Sequence, residues 1–326
     1  MIYIDTASFS AEYNFAVEEY ISSVWKPSET VFLCWGTAPT LMIGRFQNTR
    51  SEINSEYVRS RGIDVVRRRS GGGTIYTDEG GRQFSYWFPD ARHADISFRQ
   101  AGQAVVDALH GIGVQAYYSQ RNDILVDGRK ISGNARYVTG SGMINHGSLL
   151  FDTDIEAMVR ALTVSDEKLV SKGIRSVRQR ITNIKDHLKQ PMSVEEFNDY
   201  MISSICGDCA VYQFSAEEQA QIDDIARRYG SWEWNYGGDP DFELVRENRF
   251  AGGKVSCCLN VSEGRIRDIS FYGDFFAVGS VEELCAALRG VRLRRDELLA
   301  AVQSKGIDMD KIMYMISGEE LLSLIL

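Results

Sequence analysis

The sequence lacks the features of a membrane-bound or secreted protein. Its 326 residues contain no run that approaches the ~18 apolar residues of a membrane-spanning helix. The first residues, MIYIDTASF, lack the basic start and long apolar centre of a signal peptide. The six cysteines have no regular spacing, which disfavours a disulfide framework and suits a reducing compartment. We therefore predict a soluble cytoplasmic protein without a membrane partner.

Several catalytic and metal-binding motifs are also missing. The chain contains no G-x-S-x-G, no H-E-x-x-H and no Walker A ending. Cys206 and Cys209 have a C-x-x-C spacing and Cys257 is followed by Cys258, but no histidine spacing completes a zinc site. We therefore do not predict structural zinc.

Basic charge is scarce overall but locally dense. The formal net charge of -9 disfavours a nucleic-acid partner, because phosphate contacts need a broadly basic surface. Five arginines nevertheless lie within Arg59–Arg69, with Asp64 as the only acid there. This cluster indicates one small anionic ligand, and a solvated basic surface is the alternative.

Hydrophobic periodicity predicts a mixed α/β (α+β) chain. We expect helices over residues 10–24, 52–61, 96–112, 154–162, 193–205 and 216–229, and strands at VFLCW, TLMIG, DVVRR, TIY, QFSYWF, MINHGSLLF, KVSCCLNV and RIRDISFYG. Only five prolines occur and no long linker is evident. The sequence Gly237-Gly238-Asp239-Pro240 predicts a break, which gives two domains, 1–238 and 239–326.

The stretch RRRSGGGTIYTDEGG, residues 67–81, lies between two predicted strands. Three glycines would let backbone N–H groups approach a phosphate, and an arginine would offer forked donors to its oxygens. A plain strand connection with incidental arginines explains the same residues. The loop alone does not decide between these interpretations.

The stretch NDILVDGRKISGNAR contains the strongest local signal. Two alternating runs are joined by Asp127-Gly128, a dipeptide suited to the positive dihedrals of a tight hairpin turn. Lys130 and Ser132 then share one face of the second strand, where a rigid lysine could reach a ligand. Taken alone, Lys130 also fits a strand residue that faces solvent.

Together these stretches resemble lipoate-protein ligases. The residues that carry the resemblance are RRSGGGTIYTD (68–78), NDILVDGRKISGN (122–134), HGSLL (146–150), KGIRSVRQRITN and SWEWNYG. They are spread in order over nearly the whole chain. The resemblance implies the biotin/lipoate ligase catalytic fold, which is related to the class II tRNA synthetase core, with a small α+β accessory domain after it.

The resemblance also implies a reaction in two steps. Lipoate and ATP with Mg²⁺ give lipoyl-adenylate and pyrophosphate, and a lysine of a lipoyl-domain protein then forms the amide and releases AMP. The implied acceptors are the E2 subunit of a 2-oxoacid dehydrogenase and the glycine-cleavage H protein. A free carboxylate has a poor leaving group, so the adenylate has to form first.

The matching positions imply roles for individual residues. Lys130 and Asp123 would be catalytic, and Asp123 would hold Mg²⁺ or orient the incoming amine. The implied ATP-binding residues are Arg68, Gly73, Thr74, Ile75, Tyr76 and Lys130, and the implied lipoate-binding residues are Lys130, Tyr76, His146 and Gly72. Further candidates are Asn122, Ser70 and Asp78, and Trp35, Ile43 and Phe46 are candidates for an acyl pocket or for ordinary core.

Some positions depart from the family pattern. Thr77 and Asn145 stand where the family usually has histidine, and Glu79-Gly80-Gly81 replaces the frequent Leu-Gly-Asn. We therefore expect nucleotide handling to be better preserved than acyl or acceptor choice. Two alternatives stay open: a lipoyl or octanoyl transferase and a non-catalytic homologue. The transferase would need a cysteine nucleophile, and before Cys206 the chain has only Cys34, inside a predicted strand, which disfavours it.

Overall fold

A computed structural model describes residues 1–90, 94–119, 122–162, 174, 176–236 and 244–326, with backbone only for 50–51 and 94–98. These residues form two compact units. The larger unit comprises Met1–Ile43, Glu52–Arg67 and Ile75–Asn235, and the smaller comprises Gly44–Ser51, Arg68–Thr74 and Tyr236–Leu326. The boundary predicted at Gly238 lies outside the described residues. The smaller unit thus combines the C-terminal part of the chain with two short segments from its N-terminal part.

The described helices and strands follow the predicted pattern closely. The helices are α1 (Ala11–Tyr20), α2 (Thr49–Glu52), α3 (Ser55–Arg61), α4 (Ala94–Gly111), α5 (Ile155–Leu162), α6 (Val194–Cys206), α7 (Ala216–Tyr229), α8 (Trp232–Asn235), α9 (Val281–Leu288), α10 (Arg295–Ser304) and α11 (Gly318–Ile325). The strands are β1 (Ile2–Ile4), β2 (Val31–Trp35), β3 (Thr40–Ile43), β4 (Asp64–Arg67), β5 (Ile75–Thr77), β6 (Gly81–Phe88), β7 (Tyr117–Tyr118), β8 (Asp123–Val126), β9 (Arg129–Thr139), β10 (Gly142–Leu150), β11 (Ala210–Val211), β12 (Leu244–Phe250), β13 (Gly253–Ser262) and β14 (Arg265–Gly273).

Local sequence explains several element ends. The hairpin turn between β8 and β9 has φ of 49° at Asp127 and 73° at Gly128, as the Asp-Gly dipeptide predicts. Helices α6 and α7 begin with capping boxes, in which Ser193 pairs with Glu196 and Ser215 with Glu218. The helix predicted over residues 10–24 is confirmed as α1, but a π-helical turn, Ile21–Trp25, completes it.

The larger unit is built on an eight-stranded sheet in the order β11-β1-β2-β6-β10-β9-β8-β7. Helices α4 and α6 cover one face, packing on Phe32, Phe84 and other buried residues. Helices α1 and α7 and the small sheet β4-β3-β5 cover the other face, which includes Leu33 and Trp35. Adjacent residues on one strand therefore enter two different cores, since strand side chains alternate between faces.

The smaller unit has a three-stranded antiparallel sheet, β12-β13-β14. Helices α9, α10 and α11 pack on one side of it around Val255, Cys257 and Phe271. Strand β12 was not predicted, because five of its seven residues are exposed and three are charged, as suits an edge strand. In the part of the chain that the structure describes, no helix is long and apolar enough to cross a membrane.

Candidate active site

Lys130 is held in the β8–β9 hairpin beside an acidic residue. Its Nζ lies 2.7 Å from Oδ1 of Asp123, and the two side chains are 37% and 28% exposed. A Cβ added to Gly133 would lie 2.7 Å from this Nζ, so the glycine leaves room for the ammonium group. The pair is therefore both accessible and fixed, which suits a lysine that meets an anionic ligand.

The backbone of Lys130 is bonded on both sides. It pairs with Leu125 of β8 on one side. On the other side, Lys130 N–H donates to Arg180 O at 2.7 Å and Thr182 N–H donates to Lys130 O at 3.0 Å. The end of the motif KGIRSVRQRITN thus braces the lysine, whereas its residues Lys172, Gly173 and Arg175 lie outside the described residues.

Asn122 closes the same hairpin. Its Nδ2 donates to Asn134 O at 2.6 Å, and its carbonyl accepts from Asn134 N at 3.1 Å and Asn134 Nδ2 at 3.0 Å. These bonds tie the residue before Asp123 to the strand that carries Lys130. The geometry gives Asn122 a supporting position beside the Lys130–Asp123 pair.

His146 belongs to a buried polar network that sequence reasoning missed. Its Nδ1 lies 3.0 Å from both carboxylate oxygens of Glu18, a residue of α1 that is 1% exposed. Ser85 donates to Glu18 Oε1 at 2.6 Å, and Trp35 Nε1 donates to Ser85 Oγ at 3.0 Å. An ionised carboxylate only accepts, so Nδ1 of His146 carries the hydrogen in this arrangement.

The signal for this network was present in the sequence as an acid on the buried side of a helix. Glu18 follows Val17 and precedes Tyr20, both of which are buried in the core beside α1. Burial of an unpaired carboxylate is costly, so a glutamate at such a position needs donors nearby. Which donors they are depends on strands β6 and β10, which lie far away in the sequence.

The glycine loop, Arg68–Thr74, belongs to the smaller unit and is organised by Arg68. The Arg68 guanidinium donates to Ser70 Oγ at 3.1 Å, Gly71 O at 2.9 Å and Gly73 O at 2.7 Å. Thr74 Oγ1 donates to Gln47 Oε1 at 2.9 Å, and Gly44 N–H donates to the same oxygen. Here the forked donors of Arg68 bind carbonyl oxygens of their own loop.

Arg67 and the SWEWNYG motif form one structural contact. Arg67 Nε donates to Trp234 O at 3.2 Å, and one of its terminal nitrogens donates to Asn235 O at 3.1 Å. Trp234 Nε1 donates back to Arg67 O at 2.8 Å. Arg67 therefore does not belong to a solvated basic surface, because the residue is buried and its guanidinium caps the end of α8.

The candidates on strand β5 and just after it, Ile75, Tyr76 and Asp78, have different surroundings. Tyr76 is buried and pairs with Leu41, and burial raises the pKa of its hydroxyl above the usual range. The Asp78 carboxylate accepts from Gly80 N at 3.1 Å and Asp154 N at 2.8 Å, while burial raises its pKa. Asp78 thus fixes the turn before β6.

Comparison with known proteins decides the family. The model for the lipoyl protein ligase A/B catalytic domain matches residues 10–206, and the model for the bacterial lipoate protein ligase C-terminus matches residues 239–325. The lipoate-protein ligase LplJ of Bacillus subtilis (strain 168) is 38% identical over 332 residues, covering 100% of each chain. The chain belongs to the lipoate-protein ligases.

Solved structures agree on the fold of this ligase. LipL1 of P. falciparum, described in complex with lipoate, is 19% identical with a TM-score of 0.80 and covers 93% of this chain and 94% of its own. A bi-partite lipoate protein ligase, described with its E2 lipoyl domain from Thermoplasma acidophilum, is 25% identical with a TM-score of 0.66 and covers 75% and 98%. The predicted catalytic fold with a small C-terminal domain is confirmed, and so is the predicted ligase activity.

The two positions that lack the usual histidine, Thr77 and Asn145, have different surroundings in this ligase. Thr77 is buried and bonded to Thr37 at 3.1 Å and to Gln83 at 2.5 Å. Asn145 pairs with Tyr86 and Arg136 across neighbouring strands, so strand alternation places its side chain on the opposite face from His146. Its amide is fully buried without a described hydrogen-bond partner.

The cysteines do not favour the transferase alternative in this ligase. Cys34 is buried in β2, and burial raises the pKa of its thiol to about 12. A thiol with so high a pKa yields little of the thiolate that acyl transfer through cysteine needs. The structure therefore gives Cys34 a core role.

The three candidates for an acyl pocket belong to different units. Trp35 and Ile43 are buried in the larger unit. Phe46 instead stacks on Phe275 in the core of the smaller unit, with ring centroids 4.8 Å apart. Phe46 is thus ordinary core.

Proposed function

We propose that this ligase joins lipoate to a lipoyl-domain protein through lipoyl-adenylate, with Lys130 as the central catalytic residue. Attack of the lipoate carboxylate on the α-phosphate of ATP releases pyrophosphate. The ε-amine of an acceptor lysine then attacks the adenylate carbonyl, forms the amide and releases AMP. The observation that carries the proposal is the braced and accessible Lys130–Asp123 pair in a chain that matches ligases over its full length.

Lys130 stabilises the charge that develops on the α-phosphate and on the acyl carbonyl. A fixed ammonium is effective there, because it needs no reorganisation when the charge appears. Asp123 balances the lysine while no phosphate is bound, and in the second step it orients the incoming amine. That amine has an ordinary pKa of ~10.4, so it has to lose a proton before it can attack.

For the nucleotide we assign Arg68, Gly73, Thr74, Ile75 and Tyr76, with Ser70 in support. The bonds of Arg68 to Ser70, Gly71 and Gly73 favour this role, because they hold the glycine loop in one conformation. Around Gly73 the nearest described atom to an added Cβ is Asp274 Cβ at 3.8 Å, which leaves the backbone accessible to a phosphate. Arg68 would keep the loop in this conformation and place its positive charge beside the phosphates.

For lipoate we assign His146, Tyr76 and Gly72 besides Lys130. The His146 ring lies 5.9 Å from the Phe15 ring, and the Trp35 ring meets Phe15 edge-on at 5.6 Å. Aromatic side chains beside one fixed polar group would suit an apolar chain that ends in a polarisable disulfide ring. Glu18 holds the ring of this histidine through its Nδ1.

Mg²⁺ is implied by the use of ATP, and Asp123 is the proposed protein ligand. Among the described residues, no three His, Cys, Asp or Glu side chains converge as a metal site. The Asp123 carboxylate is also engaged by Lys130. These residues do not fit a metal that the protein holds alone, so Mg²⁺ would arrive with the phosphates, which together with water supply most of its ligands.

The proposed acceptor is a lipoyl domain of an E2 subunit or the glycine-cleavage H protein. The bi-partite ligase of Thermoplasma acidophilum is described with its E2 lipoyl domain, which supports the first of these. The proposed location is the cytoplasm, in keeping with the irregular spacing of the six cysteines.

The test measures both steps separately. The wild-type protein should exchange pyrophosphate into ATP only with lipoate present, and it should lipoylate a purified lipoyl domain. Lys130→Ala should lower exchange by about 100-fold or more, because one preorganised charge contact is lost. Lys185→Ala is the matched control, since Lys185 also pairs with an aspartate, Asp152, at 2.5 Å. Equal activity of the two variants would contradict the role of Lys130, and absence of exchange by the wild type would contradict the reaction.

A further inference from the structure

The turn after β14 holds the glycine loop within the smaller unit. Gly72 N–H donates to Phe275 O at 3.0 Å. Phe275 is fully buried in the core of this unit, whereas Phe276 is half-buried. The loop thus rests on Phe275, which lies 203 positions after Gly72 in the chain.

Two of the three glycines are required by this contact. A Cβ on Gly71 would lie 2.3 Å from Phe275 O and 3.2 Å from Phe276 Cα. A Cβ on Gly72 would lie 3.0 Å from the Phe276 ring, and its φ of +89° disfavours side chains in any case. Gly73 is different, because an added Cβ there meets its nearest described atom at 3.8 Å. Close packing therefore explains Gly71 and Gly72 but leaves Gly73 for a ligand.

The same turn also binds the segment Gly44–Ser51. Gly273 N–H donates to Phe46 O at 2.7 Å, and the Phe46 and Phe275 rings stack at 4.8 Å. Arg45 N–H then donates to Ser70 O at 2.9 Å. The turn, this segment and the glycine loop are consequently one packed assembly.

We propose that Phe275 and Phe276 are positioning residues for the ATP-dependent step. They hold Gly71 and Gly72 in one conformation, and the loop then presents Arg68 and Gly73 to the nucleotide. The proposal rests on the proposed role of the loop in ATP binding. Residues of the C-terminal part of the chain would thus hold a loop of the nucleotide site in position.

Phe276→Ala tests the proposal, because this ring packs on Gly72 and is not part of the fully buried core. We expect the KM for ATP in lipoate-dependent pyrophosphate exchange to rise about tenfold, with a smaller change in kcat, because the loop loses its fixed position. Phe276→Tyr keeps the ring and should restore the wild-type KM. Transfer from chemically prepared lipoyl-adenylate to a purified lipoyl domain should stay within about twofold of wild type, since no ATP is bound in that step.

Leu299→Ala is the matched control. Leu299 is half-buried against the same core on α10, so its truncation weakens the unit without touching the loop. Its KM for ATP should equal that of wild type even where its melting temperature falls as far as that of Phe276→Ala. A KM for ATP that is the same in Phe276→Ala and Leu299→Ala would overturn the positioning role.

Gly71→Ala provides a second variant that keeps all side chains of the core. Its Cβ has to displace the Phe275 carbonyl, so the KM for ATP should rise at least as much as in Phe276→Ala. Wild-type exchange that is lost in Lys130→Ala but unaffected in Gly71→Ala and Phe276→Ala would overturn this inference and leave the proposed function standing. Absence of wild-type exchange would overturn both.

Discussion

The Lys130 hairpin and the glycine loop carry the two proposed phosphate-binding cations, and they are held in opposite ways. Lys130 lies in a strand whose backbone is bonded on both sides, and its side chain meets Asp123. Arg68 lies in a loop that is held by the arginine's own bonds to Gly71 and Gly73 and by the bond from Gly72 N–H to Phe275 O. In the first case the backbone positions the side chain, and in the second the side chain also helps to position the backbone.

This difference has consequences for substitution. A lysine in a strand whose backbone is hydrogen-bonded on both sides keeps its position when neighbouring residues are substituted. It moves only if an added atom displaces its ammonium group. An arginine that shapes its own loop loses both the charge and the loop shape when it is replaced. We expect activity in the first region to respond to space around Nζ, and in the second to the number of donors on residue 68.

The largest effect is expected from Gly133→Ala. Its Cβ would lie 2.7 Å from Nζ of Lys130, and because this is the end of a flexible side chain, the ammonium moves while the fold stays intact. The kcat for pyrophosphate exchange should fall about 100-fold, the usual penalty for a displacement of ~1 Å. Gly140→Ala is the control, because no described atom lies within 4 Å of its added Cβ. A Gly133→Ala enzyme with wild-type kcat would show that the position of the ammonium is not fixed by the hairpin.

Glu18→Gln should have the next largest effect, on stability. The variant keeps the shape of the side chain but removes the charge that accepts from Ser85 and His146. Hydrogen bonds to a buried charge contribute about 1.5–3 kcal/mol each, so the free energy of unfolding in urea should fall by about 2 kcal/mol. A double-mutant cycle with Ser85→Ala measures the coupling, and additive effects would mean that the two groups act independently.

Arg68→Lys should raise the KM for ATP by about tenfold, since a lysine cannot reach Ser70, Gly71 and Gly73 together with one rigid fork. Arg61→Lys, at the exposed end of α3, is the control. Steady-state exchange kinetics at varied ATP measure both. If Arg68→Lys and Arg61→Lys gave the same KM, the loop would not need the guanidinium for its shape.

The smallest effect is expected from Asn145→Leu. The Asn145 amide is buried without a described partner, so an apolar side chain of similar shape loses no hydrogen bond to the protein. The free energy of unfolding should stay within about 1 kcal/mol of wild type, and the preference between lipoate and octanoate should not change. A loss of more than about 2 kcal/mol would indicate an ordered water on the amide. Asn134→Leu, which removes described bonds to Asn122, should cost more.

Much of the fold was predictable because its signals are local. The Asp127-Gly128 turn, the capping serines of α6 and α7 and the alternating strands each act within a few residues. The edge strand β12 was not predicted, because its exposed, charged residues suit the edge of a sheet and lack the apolar pattern of a strand that packs on a core. Within the site, Lys130 and Asp123 were both predicted as catalytic residues, and their side chains lie next to each other in the structure.

The remaining parts of the site could not be read from local pattern. Glu18 was visible as an acid among apolar residues, but its donors come from β6 and β10. Arg67 and Arg68 looked alike in the sequence, yet one caps α8 and the other shapes the glycine loop. Residues that are adjacent in the sequence therefore have different structural roles, because they contact different residues far away in the chain.

The sequence by itself determined most of the helices and strands, the hairpin that carries Lys130 and the membership in the ligase family, because turn dihedrals, caps and ordered motifs are properties of short stretches. The tertiary structure decided why Gly71 and Gly72 are glycines. Their reason is the carbonyl of Phe275 and the ring of Phe276, which approach the loop too closely for a Cβ. Such a steric requirement appears only when segments distant in sequence are packed together.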